Sequence, residues 1–567
     1  MCIMKYLKTF LFVFIVLVSF FTLSAQATIT TGTQTTLYVN SQSTNTSINC
    51  GADNSNVNNT CPDIASAIAS FNNVTVGGGH QLTIFMSEGT YTGNANSNIQ
   101  LYNQTLNIVA NNGSVVIDMT GVFVPYFVQI LLPVNGGPIT SADQTILAVI
   151  NVTFVNLAVT GDLSGGIVYS SINSKSSISF LSCTFANITT FDGSILSVST
   201  QNNLPFESQV VFQQSNFYNI TTANSLIKMT GNILFVTITD NTFNQNQAQF
   251  LIQSSLVNNI YLGKNQFTNN TLASKGSLIL IFNSLASSIL SECVFTNNQA
   301  VGNGSLISAF ESTNVVFVES SVTSNLNTSA FTLTNSDIQV LDSNFTSNTA
   351  PYNGQIVATN SRVGLYNSSF ISNSAVQGGV VSALSTSIVT ISGCDFSGNS
   401  ASQEGGAIYS SNSYIGAFNG SQFIGNAARN GSILYVTGSS TINLNYITVS
   451  NIITSIQCQN SSTITIKDVD IVHIFTKNET VVPFISCLSG AECTINGGMG
   501  DDLCVAPSKP KSGLTSGQKA GIAIGVVLGV AILVIIIYVL YKRHHNHHKY
   551  HHHHHPSQNK NNHYGSF

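Results

Sequence analysis

The sequence predicts an all-β fold, a parallel β-helix solenoid, with a short N-terminal capping helix and one transmembrane α-helix. Two observations predict the solenoid. An apolar anchor residue returns at intervals of roughly 22 to 32 residues, a spacing typical of repeat proteins. Short runs in which polar and apolar residues alternate separate the anchors. A third observation, a stretch of 22 uncharged residues near the C-terminus, predicts the membrane span.

Each repeat has the same internal order. The anchors are Phe154, Phe185, Phe217, Phe243, Phe267, Phe295, Val322, Phe345, Phe370, Phe396, Phe423 and Ile447. From Phe243 to Phe423, the third residue after the anchor is always asparagine: Asn246, Asn270, Asn298, Asn325, Asn348, Asn373, Asn399 and Asn426. Alanine commonly stands at the fifth place and glycine at the eighth to tenth. Period-2 runs broken by Gly and Asn are typical of strands and turns, so each unit is predicted to be one coil of a parallel β-helix.

One repeat carries a resemblance to a known family. Its residues 396–399 read Phe-Ser-Gly-Asn and residues 405–408 read Gly-Gly-Ala-Ile. These motifs resemble the FxxN and GGA[ILV] repeats of bacterial polymorphic outer membrane proteins and related right-handed β-helix surface proteins. The resemblance covers residues 150–450, although Gly-Gly-Ala-Ile is complete only once. It implies a right-handed winding and a surface location, but no chemistry.

Residues 61–120 predict how the solenoid begins. Ile64, Ile68 and Phe71 fall on one face of a short helix, and Asp63 lies at the positive end of its dipole. Strand patterns follow at residues 82–86, 106–109 and 115–117, with Glu-Gly-Thr-Tyr at 88–91. This order is similar to the entry of pectin-lyase-like folds, where a helix covers the open end of the β-helix. Residues 28–150 are therefore predicted to form the N-terminal cap and first coils, and residues 151–500 the repeats.

Both ends of the chain predict a type I membrane protein in the plasma membrane. Residues 1–27 read as a signal peptide, with lysines before an apolar core and Ala-Gln-Ala at the cleavage site. Residues 501–518 are predicted to be a stalk, 519–541 a transmembrane helix in the lipid bilayer, and 542–567 a His-rich cytoplasmic tail after Lys542-Arg543. Gly521, Gly525 and Gly529 fall on one face of this helix, where a second copy could pack closely to form a homodimer. The general frequency of glycine in membrane spans explains this spacing equally well.

Cysteines and sequons fit a secreted chain. Cys50 and Cys61 are predicted to form a disulfide, whereas Cys183, Cys293 and Cys394 point inward several coils apart and are predicted to be buried thiols. Cys458, Cys487, Cys493 and Cys504 are expected to form two disulfides of unknown pairing, with a zinc site as the less favoured alternative. N-glycosylation is predicted at Asn45, Asn58, Asn73, Asn103, Asn112, Asn151, Asn187, Asn219, Asn269, Asn303, Asn327, Asn344, Asn367, Asn419, Asn430, Asn460 and Asn478.

The sequence predicts no catalytic, cofactor or metal site. Inverting polysaccharide hydrolysis needs an acid and a base about 6.5 to 9.5 Å apart. The acidic residues Glu292, Asp342, Asp395 and Glu404 are predicted to fall in different units and at different positions within the repeat. The two arginines, Arg362 and Arg429, are also predicted to occupy unmatched positions. His80 and His473 are isolated and are interpreted as structural.

These patterns predict a cell-surface glycoprotein whose β-helix serves recognition or adhesion and which is not an enzyme. The expected partner is an extracellular glycan or protein, and no motif or basic patch indicates nucleic acid. Two alternatives remain open. One is a polysaccharide-active enzyme of the pectin-lyase-like type, and the other is an inert structural coat protein.

Overall fold

The computed structural model describes most of the repeat region and its N-terminal entry. The described residues are 34–74, 80–122, 126–131, 144–159, 166–170, 175–200, 208–284, 286–450, 455–471, 484–488 and 493–496. They belong to the first of two units, Met1–Cys504, and Val505–Phe567 forms the second.

Strands on three faces build a parallel β-solenoid, in which each strand pairs with the corresponding strand of the next coil. Face 1 consists of β1 (Gln34–Val39), β2 (Gln81–Met86), β5 (Thr105–Ala110), β8 (Gln144–Ile150), β11 (Lys175–Leu181), β14 (Ser208–Gln213), β17 (Ile233–Thr239), β20 (Asn259–Gly263), β23 (Ser287–Ser291), β26 (Val315–Val318), β29 (Asp337–Leu341), β32 (Arg362–Tyr366), β36 (Ile388–Ser392), β40 (Tyr414–Phe418), β44 (Thr441–Ser450), β46 (Thr463–Ile471) and β48 (Thr494–Asn496).

Face 2 carries the anchors on short strands. It consists of β3 (Gly89–Thr92), β6 (Val115–Asp118), β9 (Val152–Val155), β12 (Thr184–Thr190), β15 (Asn216–Thr222), β18 (Thr242–Asn244), β21 (Gln266–Thr268), β24 (Val294–Thr296), β27 (Ser321–Thr323), β30 (Asn344–Thr346), β33 (Ser369–Ile371), β37 (Asp395–Ser397) and β41 (Gln422–Ile424).

Face 3 closes each coil. It consists of β4 (Ile99–Leu101), β7 (Tyr126–Ile130), β10 (Gly166–Ser170), β13 (Leu196–Ser199), β16 (Ser225–Thr230), β19 (Gln247–Ser255), β22 (Thr271–Phe282), β25 (Gln299–Phe310), β28 (Leu326–Thr334), β31 (Ile356–Thr359), β35 (Val381–Leu384), β39 (Ile408–Ser411), β43 (Leu434–Thr437), β45 (Ile456–Cys458) and β47 (Ile485–Cys487). A separate three-stranded sheet between faces 2 and 3 consists of β34 (Ser374–Gln377), β38 (Ser400–Glu404) and β42 (Ala427–Asn430).

Phenylalanine rings stack along the inside of face 2. Phe243 and Phe267 lie 4.8 Å apart with rings inclined by 7°, and Phe370 and Phe396 lie 4.9 Å apart. Where the anchor is Val322, Phe317 from face 1 lies between the rings of the neighbouring coils. The predicted anchors are therefore buried and in phase, with one exception.

The last anchor was assigned to the wrong residue. Phe423 pairs with Val449, whereas the predicted anchor Ile447 pairs with Val469 of the following coil. The reason is that β44 continues from face 1 into face 2, with the corner taken at Tyr446 in a left-handed conformation (φ 53°).

The repeat asparagines form a buried hydrogen-bonded ladder at the end of face 2. Asn270 donates from its backbone N and its Nδ2 to Oδ1 of Asn298, at 3.1 and 2.9 Å, and from Nδ2 to the carbonyl of Phe243 at 2.9 Å. The same pattern recurs from Asn246 to Asn399. Each side chain thus satisfies its own polar atoms and those of its neighbour, which is the condition for burying an amide without penalty.

A second hydrogen-bonded ladder, at the corner between faces 1 and 2, consists of serines, and cysteines replace them in some coils. Ser320 donates its backbone N–H to Oγ of Ser343, and Ser343 donates to Ser368, both at 3.1 Å. Cys293 and Cys394 occupy the same place in their coils and donate to Oγ of the next serine. Cys183, Cys293 and Cys394 are buried and form no disulfide, as predicted.

The predicted N-terminal helix forms and begins at Ile64. Helix α1 (Ile64–Val74) is capped by Asp63, whose Oδ1 accepts from the backbone N of Ser66 at 2.7 Å. Ile64 and Phe71 are buried against the first coils. A disulfide between Cys50 and Cys61, with Cα atoms 5.0 Å apart, holds the loop before the helix.

Several predictions concern residues outside the described part of the chain. They are the signal peptide 1–27, the stalk 501–518, the span 519–541 with Gly521, Gly525 and Gly529, the tail 542–567, Cys504, His473 and the side chains of Asn73 and Asn478. Within the described ranges, no helix has the length and apolar character needed to cross a bilayer. The parallel β-solenoid is confirmed. The right-handed winding and the outer-membrane repeat resemblance stay predictions.

Candidate polysaccharide-binding groove

The acidic residues of the repeats do not all fall at different phases, and that prediction was wrong. Glu292, Glu319 and Asp342 each follow a face 1 strand, occupy the same left-handed corner position (φ 53°, 51° and 48°) and lie on successive coils. By contrast, Asp395 lies on face 2 and Glu404 at the end of β38.

A groove lies on the outside of face 1, where β26, β29, β32 and β36 run side by side. It has a volume of about 240 Å³. Its floor is Gly364 in the middle of β32, flanked by Gln339 on the preceding coil and Thr390 on the following one, which pair with Gly364 in register. Arg362 lies at one end of the same strand and Tyr366 at the other. The two side chains point outward with Gly364, since alternate residues of a strand share a face.

The absence of a side chain at Gly364 shapes the groove. A Cβ atom at this position would lie 2.5 Å from Cε2 and 3.0 Å from the hydroxyl oxygen of Tyr366. The tyrosine ring therefore lies back along the strand above the glycine, and its phenol group is held two residues from Arg362. A glycine inside a strand commonly marks such a close approach.

Arg362 gives the groove a cationic group that is available to a ligand. Its Nη1 lies 3.7 Å from Oδ2 of Asp337 on the preceding coil, and the two side chains are 72% and 40% exposed. An ion pair this exposed is worth little free energy, because water screens both charges. The guanidinium group thus lies beside Asp337 but stays accessible, and its N–H groups can bind a second carboxylate.

Sequence reasoning missed this groove. It named Arg362 but treated it as an isolated residue, and it named neither Gly364 nor Tyr366. The signal was the sequence Arg-Val-Gly-Leu-Tyr at 362–366, whose outward places carry a cation, a glycine and an aromatic ring. Asp337 could not be assigned as the partner of Arg362 from the sequence because coil lengths vary, and only the strand register brings the two side chains together.

Two other groups of side chains are less suited to a ligand. The stacked pair Tyr409 and Tyr435, with ring centroids 5.8 Å apart, lies on face 3. Burial raises the pKa of Tyr435 to about 12, and the nearby Glu404 carboxylate adds to that shift, so the phenol stays protonated at neutral pH. The hydroxyl of Tyr435 already donates to Oε1 of Gln459.

The remaining group contains three sulfur atoms. Cys458, Cys487 and Cys493 have their sulfurs within 4.8 Å of one another. Cys458 forms a disulfide with Cys493, and Cys487 is also disulfide-bonded. Because a disulfide offers no thiolate, these three residues do not provide the ligands of the zinc alternative.

Comparison with known proteins adds two solved structures. No family model and no curated protein matches the chain. One similar structure is the A-module of a mannuronan C-5 epimerase from Azotobacter vinelandii, at 13% identity over 76% of this chain and 95% of that chain, with a TM-score of 0.23. The other is a mannuronic acid-specific polysaccharide family 6 lyase from the human gut microbiota, at 10% identity over 72% and 86%, with a TM-score of 0.19.

These comparisons correct one prediction. The sequence was interpreted as that of a non-enzyme, and this is contradicted because both similar structures are polysaccharide-active enzymes. At these TM-scores and identities, they do not assign an activity to this chain.

Proposed function

We propose that the chain is a polysaccharide-active β-solenoid protein and that the face 1 groove binds a polysaccharide carrying carboxylate groups. One observation supports the proposal above the others: an aromatic ring and a guanidinium group converge on a floor that has no side chain. Sugar rings have apolar faces that pack on aromatic side chains, and guanidinium groups bind carboxylates in a bidentate geometry. Tyr366 and Arg362 supply these two contacts.

The direction of the groove suits a polymer. Gln339, Gly364 and Thr390 follow one another across three coils that are about 4.8 Å apart, and their outward positions are in register. A ligand lying along this row would contact the amide group of Gln339 on one side of Gly364 and the hydroxyl group of Thr390 on the other. Both groups form hydrogen bonds with sugar hydroxyls.

Binding can be tested with the purified full chain and immobilised polymers of mannuronate, galacturonate and uncharged glucose. We expect retention on the uronate polymers, weakening as salt screens the contribution of Arg362. Tyr366→Ala should lower the affinity about tenfold, equivalent to about 1.4 kcal/mol. Arg362→Gln should remove the preference for charged polymers.

A matched control is Tyr261→Ala. Tyr261 also lies over a glycine of face 1, Gly263, but on β20, four coils from Gly364 and two coils before β26, the first strand of the groove. Its replacement should leave binding unchanged. Equal retention of the Tyr366 and Tyr261 variants, with both proteins folded, would show that the groove is not the binding site.

A second candidate function is chemical modification of the bound uronate. It is favoured by the position of the Tyr366 phenol above Gly364, two residues from Arg362. With the sugar carboxylate on Arg362, the carboxylate of Asp337 would accept the proton from the adjacent carbon. The electron pair would form a carbon–carbon double bond as the glycosidic C–O bond breaks, and Tyr366 would donate a proton to the leaving oxygen.

Ultraviolet absorbance of the unsaturated product tests this step. Tyr366→Phe should abolish product formation while polymer binding persists.

We also propose that the solenoid lies outside the plasma membrane. The disulfides Cys50–Cys61 and Cys458–Cys493 support this location, because disulfides persist in oxidising compartments. Protease added to intact cells should degrade the solenoid and spare an epitope placed near Phe567. Protection of the solenoid would contradict this orientation.

A further inference from the structure

We propose that Asn367 carries an N-linked glycan that forms one wall of the groove and limits the access of long polymers. This inference rests on the proposed function of the groove. Asn367 directly follows Tyr366 in the sequence and begins the sequon Asn-Ser-Ser. It is exposed and takes the left-handed corner position between faces 1 and 2, with φ 49°.

The corner leaves room for a modified side chain. Nδ2 of Asn367 donates to Oδ1 of Asp342 on the preceding coil at 3.3 Å. On the following coil the corner residue is Gly393, where a Cβ atom would lie 2.8 Å from Oδ1 of Asn367. An amide nitrogen that carries a sugar keeps one N–H group, so the modified side chain retains a donor for Asp342.

Modification requires a donor of known chemical class. The bond between Nδ2 and the sugar C1 forms as the C1–O bond of a lipid pyrophosphate-linked oligosaccharide breaks, and the amide nitrogen loses one proton. No oxidation or reduction is involved. The disulfide Cys50–Cys61 supports passage through an oxidising compartment, where such transfer occurs.

The distribution of sequons supports their use. All fifteen sequon asparagines whose side chains the structure describes are exposed or half-buried. The eight ladder asparagines, which a glycan would drive out of the core, begin no sequon. The residue two places on is alanine in six of the eight coils, so no serine or threonine completes a sequon there.

A second glycan position reinforces the wall. Asn419 follows Phe418 at the equivalent corner two coils on, about 10 Å away at the usual strand spacing. It is exposed, has φ 55° and donates from Nδ2 to Oγ of Ser392 at 3.0 Å. Glycans on Asn367 and Asn419 would border the groove on the face 2 side. The opposite corner of the same coils carries Asn335, Asn360 and Asn412, and none of these begins a sequon.

The first test is the mass of the Asn367 peptide from the native protein, before and after enzymatic removal of N-glycans. The second compares association rates of a long uronate polymer and a short oligomer. Asn367→Gln and Ser369→Ala both remove the sequon, and each should raise the association rate of the polymer about threefold or more, with little effect on the oligomer. Asn344→Gln removes a sequon from the outside of face 2 and should change neither rate.

The outcomes separate this inference from the proposed function. An unmodified Asn367 peptide, or polymer rates that do not change in either sequon variant, overturns the glycan wall while binding to the groove still stands. If neither native nor deglycosylated protein binds any uronate polymer, the proposed function fails. The mass measurement on Asn367 is then still interpretable by itself.

Discussion

The side-chain amide of Asn373 donates a hydrogen bond to Oδ1 of Asn399, one coil further on, at 3.1 Å. It also donates to the carbonyl of Phe345 at 2.9 Å, and its own Oδ1 accepts from Asn348. All these atoms are buried. One side chain thus satisfies polar groups in the coils before and after its own.

Removing this amide should strongly destabilise the solenoid. Asn373→Ala removes the acceptor of the buried Asn348 backbone N–H and the side-chain donor to the Phe345 carbonyl and to Oδ1 of Asn399, and we expect a loss of about 2 to 4 kcal/mol in the free energy of unfolding. Denaturant titration measures this loss. Asn335→Gly is the control, since the exposed Asn335 side chain accepts a surface hydrogen bond from Asn360 and its φ of 50° is one that glycine adopts without strain. Similar losses in the two variants would contradict the role of the ladder.

The stacked rings of face 2 predict a second difference. Phe345 is fully buried and lies 4.8 Å from Phe370, whereas the adjacent Thr346 points outward and is half-buried. Phe345→Ala should cost about 3 to 5 kcal/mol, because it leaves a cavity in the core. Thr346→Ala should be nearly neutral. Since the second change also removes the Asn344 sequon, both unfolding energies are compared on deglycosylated protein, and equal losses would refute the assigned phase.

The interior of the fold was predictable from the sequence, and the exterior was not. Phe345, Phe370 and the ladder asparagines repeat at one phase because each coil buries the same positions, so periodicity alone locates them. The pairing of Arg362 with Asp337 depends instead on the register between two coils whose lengths differ from those of other coils. Outward positions are under no common packing constraint, so periodicity does not indicate which of them lie together in the groove.

Burial of the ladder thiols predicts a loss of stability at alkaline pH. Burial raises the pKa of Cys394 from an ordinary value of 9.0 to about 11. A pKa that is higher in the folded state means that the unfolded chain releases the proton first. The stabilisation is therefore complete below pH 9 and is lost as the pH rises toward 11, by roughly 3 kcal/mol at most.

Cys394→Ser isolates this effect. The neighbouring coils already have Ser368 and Ser421 at the equivalent ladder position, so serine fits there and does not titrate. Unfolding free energies measured from pH 7 to 11 should fall less steeply for the variant than for the unaltered protein. Parallel curves would show that ionisation of Cys394 does not contribute to the alkaline loss.

The floor of the groove predicts how a single methyl group should affect binding. In Gly364→Ala, the new Cβ would lie 2.5 Å from Cε2 of Tyr366, so the ring must leave its position above the floor. We expect a drop of about tenfold in affinity for uronate polymers, or about 1.4 kcal/mol, with little change in unfolding free energy because the groove faces solvent. Gly416→Ala is a close match, since its Cβ would lie 2.5 Å from Cε2 of Phe418, two coils away and outside the groove. Isothermal titration measures the affinity of both variants for uronate polymers. If the groove is the binding site, only Gly364→Ala lowers this affinity. If crowding anywhere on face 1 impairs binding, both variants lower it.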